Sequence, residues 1–224
     1  SIGVLMKIRS EVTRSHDRVW EELALAGAVL TGQERVSVAI ELRAARSCEF
    51  CRESRSGLSA PYAVGKHDCV DSQVPATWIE LIHRLVNDPG RIHREWVRAL
   101  MNDGLTEIEY VEIAGLVSAV CVVDTFHEAL GLPVRPLPEP KDGQAAYNRP
   151  VTAIDEGAYV PMIPVDGLQD DYKDLYDTRH WVPNVHRAFS LVPNAVRLAD
   201  DLMGSHYFPY ESVPRYTDEA HKYA

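Results

Sequence analysis

The most informative residues in this sequence are Cys48 and Cys51, which form a Cys-x-x-Cys motif. At this spacing on a helix two thiols lie about one turn apart, so a disulfide can form and break with little backbone movement. The chain contains only four cysteines, which is too few for a disulfide scaffold. The motif therefore predicts thiol redox chemistry. The alternatives are a pair of inert buried cysteines or part of a metal site.

Charged residues flank this motif at helical spacing. Glu41 precedes Cys48 by seven positions and Arg55 follows it by seven, and residues seven apart share one face of a helix. A single uninterrupted helix over 33–57 would therefore align a carboxylate, the dithiol and a guanidinium. The carboxylate could carry a proton, and the guanidinium could lower a thiol pKa.

A second group of candidate residues lies in a long helical pattern over 106–130. Asp124 and His127 fall on its apolar side, so they are expected to point inward, where the acid could orient the imidazole or both could bind a metal. Cys121 has no ligand at helical spacing and is interpreted as a core residue. His67 lies in a loop after the Cys-x-x-Cys motif and could approach it.

Helical periodicity predicts an all-α fold that positions these side chains. The pattern divides the chain into a helical core over 1–134, which carries Cys-x-x-Cys, and a C-terminal extension over 135–224. The extension begins with a proline-rich connection up to 164 and continues with short helices. Within the core, Thr106 and Glu109 have the spacing of a capping box. The predicted helices cover 16–30, 33–57, 74–87, 91–101, 106–130, 170–177, 185–190 and 194–207.

Composition and net charge restrict the classes of partner that the protein is expected to bind. The 224 residues carry a formal net charge of −10, which argues against binding to nucleic acid or to an anionic membrane surface. No apolar run in the sequence approaches the roughly 20 residues that span a bilayer. With few cysteines and no disulfide framework, a reducing cytoplasmic location is expected.

Two stretches of sequence resemble the alkylhydroperoxidase D-like, carboxymuconolactone decarboxylase-like family. The first is 35–51, which ends in Cys-Glu-Phe-Cys, and the second is 105–133, which begins Leu-Thr-Glu-Ile-Glu and ends Leu-Gly-Leu-Pro. The resemblance covers roughly 16–134. It implies an all-helical homo-oligomer without a cofactor that reduces a small peroxide or disulfide with electrons from a thiol donor. It also implies that Cys51 reacts with peroxide and that Cys48 resolves.

The chain departs from this family at the proton relay. The position four residues after the second cysteine, which is a histidine in the peroxidases, is Arg55. The position of the relay glutamate, about twelve residues before the first cysteine, is Val36, and Glu41 is the nearest following acid. We expect His127 to replace the missing histidine, which makes Cys48, Cys51, Glu41 and His127 the predicted catalytic residues.

Two other functions remain open at this point. A metal-dependent enzyme on the same scaffold would use Glu41, Asp124 and His127 as inward ligands, with His67 as the second histidine. A non-catalytic oligomeric binding module would have lost the relay, and Arg55 favours that interpretation slightly.

Overall fold

The computed structural model describes residues 8–57, 65–70, 73–176 and 182–207. This part of the chain is helical, with an isolated bridge between Ile154 and Met162 as its sole β pairing, so the all-α prediction is confirmed. The helices are α1 (Ser10–Ala24), α2 (Gly32–Ala45), α3 (Glu49–Ser56), α4 (Ala76–Asn87), α5 (Arg94–Asn102), α6 (Glu107–Ala129), α7 (Asn184–Arg187) and α8 (Pro193–His206).

Two of the core helices, α2 and α6, begin with a capping box. In α6 the Thr106 hydroxyl accepts a hydrogen bond from the Glu109 backbone N–H, and the Glu109 carboxylate accepts one from the Thr106 backbone N–H. Thr31 and Glu34 form the same pair at the start of α2. Each box satisfies backbone donors that a helix leaves unpaired in its first turn. The cap predicted at Thr106 is therefore confirmed.

The core lies where α2, α4 and α6 pack against one another, with α1 and α8 alongside. Leu42 of α2, Leu81 of α4 and Ile113 of α6 have no exposed surface. Full burial of such a side chain stabilises the fold by roughly 1.5–3 kcal/mol. In the part of the chain that the structure describes, no helix is long and apolar enough to cross a lipid bilayer.

The predicted uninterrupted helix over 33–57 is wrong. The chain leaves α2 after Ala45, and Cys48 has an extended backbone (φ −62°, ψ 122°) before α3 begins at Glu49. The Asp68 carboxylate accepts a hydrogen bond from the Glu49 N–H, so a neighbouring segment satisfies the new helix start. The sequence has no glycine or proline at the break. No local sequence pattern reveals that Asp68 caps the start of α3.

The described residues beyond 134 pack on the helical core. From 132 to 164 the chain has no helix, as predicted, and the Lys141 N–H donates to the Ala24 carbonyl at the end of α1. Helix α8 packs against α1 and α6, and its Leu202 belongs to the main hydrophobic cluster. The helix predicted over 170–177 is a single 3₁₀ turn at Asp170–Tyr172, and its last residue lies outside the described ranges.

Candidate dithiol and histidine site

Four side chains from three separate segments meet at one point. Cys48 and Cys51 come from the start of α3, His67 from the segment 65–70, and His83 from α4. The Cys51 Sγ lies 3.3 Å from the Nδ1 atoms of both His67 and His83, and the Cys48 Sγ lies 3.7 Å from the His67 Nδ1. Two thiols and two imidazoles thus form one cluster.

Each imidazole has a carboxylate within hydrogen-bond distance of its Nε2. The Nε2 of His83 lies 2.8 Å from Oε1 of Glu41, and the Nε2 of His67 lies 2.6 Å from Oε2 of Glu80. An ionised carboxylate only accepts hydrogen bonds, so each Nε2 carries the proton. In the neutral ring the lone pair is then on Nδ1, which is the nitrogen that faces the sulfurs.

The packing of α4 against α2 creates the inner half of the cluster. Glu41 and His83 face each other across this interface, and both side chains are fully buried. The second carboxylate oxygen of Glu41 accepts a hydrogen bond from the backbone N–H of Val70. Glu41 therefore links α2, α4 and the 65–70 segment that carries His67.

The start of α3 favours a thiolate at Cys48. Cys48 is the N-cap residue of α3. The Asp68 carboxylate accepts a hydrogen bond from the first N–H of this helix, that of Glu49, and the N-terminus of a helix stabilises negative charge. Burial raises the pKa of Cys48, but hydrogen bonds from the Asp68 and Cys51 backbone N–H groups and from His67 outweigh burial, so the net pKa is lowered.

The pKa values of the other three residues of the cluster shift in different directions. Burial raises the pKa of the Cys51 thiol. Burial lowers the pKa of His83. For His67, burial lowers the pKa, but the hydrogen bonds to Cys51, Glu80 and Cys48 outweigh it and raise the pKa to about 10. The cluster thus separates its two thiols into a more acidic Cys48 and a less acidic Cys51.

The two cysteines also differ in access. Cys48 borders an open groove of about 410 Å³. The space beside Cys51, His67 and His83 measures only about 20 Å³, which holds at most a water molecule. Both cysteines are buried, at 3% and 6% exposure, so the neighbouring groove and not surface exposure distinguishes Cys48. The groove is bordered by Arg46, Ser47, Cys48, Arg52, Arg55, Ser56 and Asn87.

Not every predicted residue lies in the site. Glu41 does, although it reaches the cysteines through His83 and not along one helix face. His127 does not: its Nδ1 bonds the Pro133 carbonyl, and its ring lies beside His16 on α1. Asp124 forms a bidentate pair with Arg43. The expectations that His127 serves the cysteines and that Asp124 binds a metal with it are therefore not supported.

Sequence reasoning missed His83 and Glu80. Both lie on α4, which was interpreted from its apolar stripe alone, so its polar residues were not considered as site residues. Their spacing of three places them on neighbouring positions of one face. The packing of that face onto α2 and α3 brings His83 to Cys51 over 32 positions of sequence. Only the tertiary fold reveals that proximity. His67, considered as a loop residue that could approach the motif, does reach both thiols.

Comparisons of the chain with protein-family models, with curated proteins and with solved structures found no match. The resemblance to the alkylhydroperoxidase D-like family, and the oligomer and partners that it implies, stay predictions.

Proposed function

We propose that this protein is a thiol-dependent oxidoreductase that reduces a small peroxide, or exchanges a disulfide, through Cys48 and Cys51. One observation carries the proposal: Cys51, His83 and Glu41 form a continuous buried hydrogen-bonded chain beside a second thiol at a helix N-terminus. A thiol, an imidazole that takes its proton and a carboxylate that orients the imidazole are the parts of an activated thiol site.

Cys48 is the thiol that attacks in this proposal. Cys48 borders the open groove, and the N-terminus of α3 stabilises its thiolate. The thiolate attacks one oxygen of the peroxide, so an S–O bond forms and the O–O bond breaks. The second oxygen leaves as an alkoxide or hydroxide and takes a proton from solvent. Cys48 is thereby oxidised to a sulfenic acid.

Cys51 then resolves the sulfenic acid. His83 removes the Cys51 proton through Nδ1, while Glu41 holds the opposite ring nitrogen and stabilises the imidazolium that forms. The Cys51 thiolate attacks the Cys48 sulfur, an S–S bond forms, and the S–O bond breaks. The hydroxide leaves as water with the proton that His83 received. An external thiol donor returns the disulfide to two thiols by exchange.

These roles reverse the assignment that the family resemblance implies, in which Cys51 reacts with peroxide. The relay also differs, because in this proposal His83 of α4 takes the role that the resemblance gives to a histidine four residues after the second cysteine. The side chain of Arg55 instead borders the groove beside Cys48. An oligomeric, cytoplasmic protein remains part of the proposal.

Steady-state turnover tests the function. Reduced, metal-free protein is mixed with hydrogen peroxide or an organic hydroperoxide and excess dithiothreitol, and peroxide loss is followed. We expect thiol-dependent turnover that Cys48→Ser abolishes and that Cys51→Ser slows, because dithiothreitol must then reduce the Cys48 sulfenic acid directly. Cys69→Ser, at an exposed cysteine outside the cluster, should leave turnover unchanged. If neither peroxide nor a model disulfide is consumed above the rate of the thiol alone, the proposed function fails.

A further inference from the structure

We infer that Cys48, Cys51, His67 and His83 together bind one zinc ion in the reduced protein. This site goes beyond the proposed redox function, because metal binding by these side chains does not require the protein to turn over a substrate.

The distances match tetrahedral coordination. One donor atom from each of the four residues lies within 4.8 Å of the donor atoms of the other three. Zinc takes thiolates at about 2.3 Å and imidazoles at about 2.05 Å, so a sulfur and a nitrogen on one tetrahedral ion are about 3.6 Å apart. Three of the four S–N pairs in the cluster are 3.3, 3.3 and 3.7 Å apart.

The ring orientation also fits a metal. Both imidazoles turn Nδ1 toward the centre of the cluster, and a carboxylate holds each Nε2. Histidine ligands of zinc characteristically donate their second N–H to a carboxylate or carbonyl, which fixes the ring and strengthens the nitrogen as a ligand. Glu41 and Glu80 supply this support from two different helices.

Charge favours a cation at the same place. Glu41 has no exposed side-chain surface, while Glu80 is 27% exposed and also pairs with Arg84 at 3.4 Å. Two thiolates would add two negative charges beside Glu41. Buried charge is costly unless an opposite charge compensates it. A dication between two thiolates and two neutral imidazoles supplies that compensation, and two sulfur and two nitrogen ligands select zinc among the common divalent ions.

Four protein ligands fill a tetrahedral shell, so this zinc has no open position for a substrate, as in structural zinc sites. It would hold α3, α4 and the 65–70 segment together. If the proposed redox function also holds, zinc protects the resting dithiol. Oxidation by hydrogen peroxide converts two zinc-bound thiolates and two protons into a disulfide and two water molecules, and the zinc ion, deprived of two ligands, leaves.

The first test is direct metal binding. Protein purified under reducing conditions is analysed for zinc, then stripped with a chelator and titrated with zinc against a chromophoric competitor. Titration with Co²⁺ reports the ligand set, because tetrahedral cobalt with thiolate ligands gives intense visible bands and a sulfur-to-metal charge-transfer band. We expect one zinc per chain and the spectrum of a two-sulfur, two-nitrogen site.

Variants distinguish this centre from other cysteines and histidines. His67 lies in the segment 65–70, outside the helices, with 12% of its side chain exposed. His67→Gln is therefore expected to remain folded by circular dichroism while zinc affinity falls at least tenfold. Cys51→Ser should remove the charge-transfer band or halve it. Cys69→Ser and His127→Gln, which change residues outside the cluster, should bind zinc as the parent does.

The inference is overturned if the folded, reduced protein takes up neither zinc nor cobalt, or if His67→Gln and Cys51→Ser leave the cobalt spectrum unchanged. The proposed function is judged separately by peroxide turnover of metal-free protein. Stoichiometric zinc without turnover would support the zinc site and refute the redox function. Turnover without zinc binding would support the redox function and refute the zinc site.

Discussion

At the scale of single residues, the histidines determine what the two cysteines can do. A Cys-x-x-Cys pair alone is compatible with redox chemistry, metal binding or simple packing. Here His67 and His83 both contact Cys51, and each imidazole is held by its own carboxylate. That arrangement argues against inert packing, because apolar burial of a thiol needs no oriented base.

Glu41 is expected to act as a positioning residue. Glu41→Gln keeps the shape of the side chain but weakens its hold on the His83 Nε2–H, so we expect formation of the Cys48–Cys51 disulfide to slow by about 10- to 100-fold. Formation of the sulfenic acid at Cys48 should change little. Rapid mixing with peroxide separates the two steps, and Glu53→Gln at an exposed position of α3 serves as the control. Equal slowing of both steps would argue against this role.

Outside the site, the pair Arg35–Glu112 is the most deeply buried ion pair joining α2 and α6. The Glu112 carboxylate also accepts hydrogen bonds from the Ala28, Val29 and Leu30 backbone N–H groups. Glu112→Gln should therefore lower the free energy of unfolding by about 3 kcal/mol, since it leaves a buried guanidinium without its counter-charge. Urea unfolding measures this change.

Glu107→Gln is the matched control, because it breaks an exposed pair with Arg149. We expect it to lower the free energy of unfolding by less than about 1 kcal/mol. Similar losses in the two variants would show that the buried pair contributes no more to the free energy of unfolding than the exposed pair does.

At the scale of elements, the sequence predicts helices better than it predicts their interruptions. Apolar periodicity and the Thr106–Glu109 box placed α6 close to its observed bounds, because both signals are local. The break between α2 and α3 depends on Asp68, which is 19 positions from the Glu49 N–H that it caps. The same break takes Cys48 off the face of Glu41, so the predicted alignment of Glu41, Cys48 and Arg55 failed with it.

The cap of α6 is expected to contribute measurably to stability. Thr106→Ala removes the side-chain acceptor for the Glu109 N–H and should cost about 1 kcal/mol in the free energy of unfolding. Thr125→Ala, at an exposed interior position of the same helix, should not destabilise the protein, because alanine has the higher helix propensity. A cost for Thr125→Ala that equals the cost for Thr106→Ala would contradict a capping role.

The interface of α1 and α8 is expected to be sensitive to acid. The Nε2 atoms of His16 and His206 lie 3.0 Å apart, with His127 of α6 and the charged Arg9, Arg135 and Asp17 nearby. Burial lowers the pKa of His16 from 6.5 to about 4, and His206 and His127 add to this effect. Burial also lowers the pKa of His206.

The unfolded chain therefore binds more protons than the native chain between these pKa values, and stability must fall as the pH drops from about 6.5 toward about 4. Urea unfolding across this range measures the slope, and His16→Gln should make it shallower. An unchanged slope in the variant would show that the pair does not control the acid response.

At the scale of the whole molecule, the C-terminal part shares its packing with the N-terminal helices. The sequence suggested a boundary at 134 because proline-rich composition follows it. Composition does not reveal that α8 returns to pack against α1 and α6, which is a long-range consequence of its apolar face. The site itself depends on the same kind of contact, because α2 and α4 must pack before Glu41 can meet His83.

Truncation of one α8 side chain tests this integration. Leu202 is 2% exposed within the main cluster, so Leu202→Ala should lower the free energy of unfolding by about 2–5 kcal/mol. Met203→Ala, at the neighbouring position that is 40% exposed, should cost far less. A small and equal effect of the two changes would indicate that α8 contributes little to the core.

The most direct test of the proposed redox chemistry is to trap the oxidised thiol. Metal-free Cys51→Ser protein is treated with one equivalent of peroxide in the presence of dimedone, and the adduct is located by peptide mass spectrometry. We predict that dimedone marks Cys48, and that unsubstituted protein under the same conditions forms the Cys48–Cys51 disulfide. Marking of Cys69 or Cys121 with Cys48 unmodified, and no disulfide in the unsubstituted protein, would contradict the account.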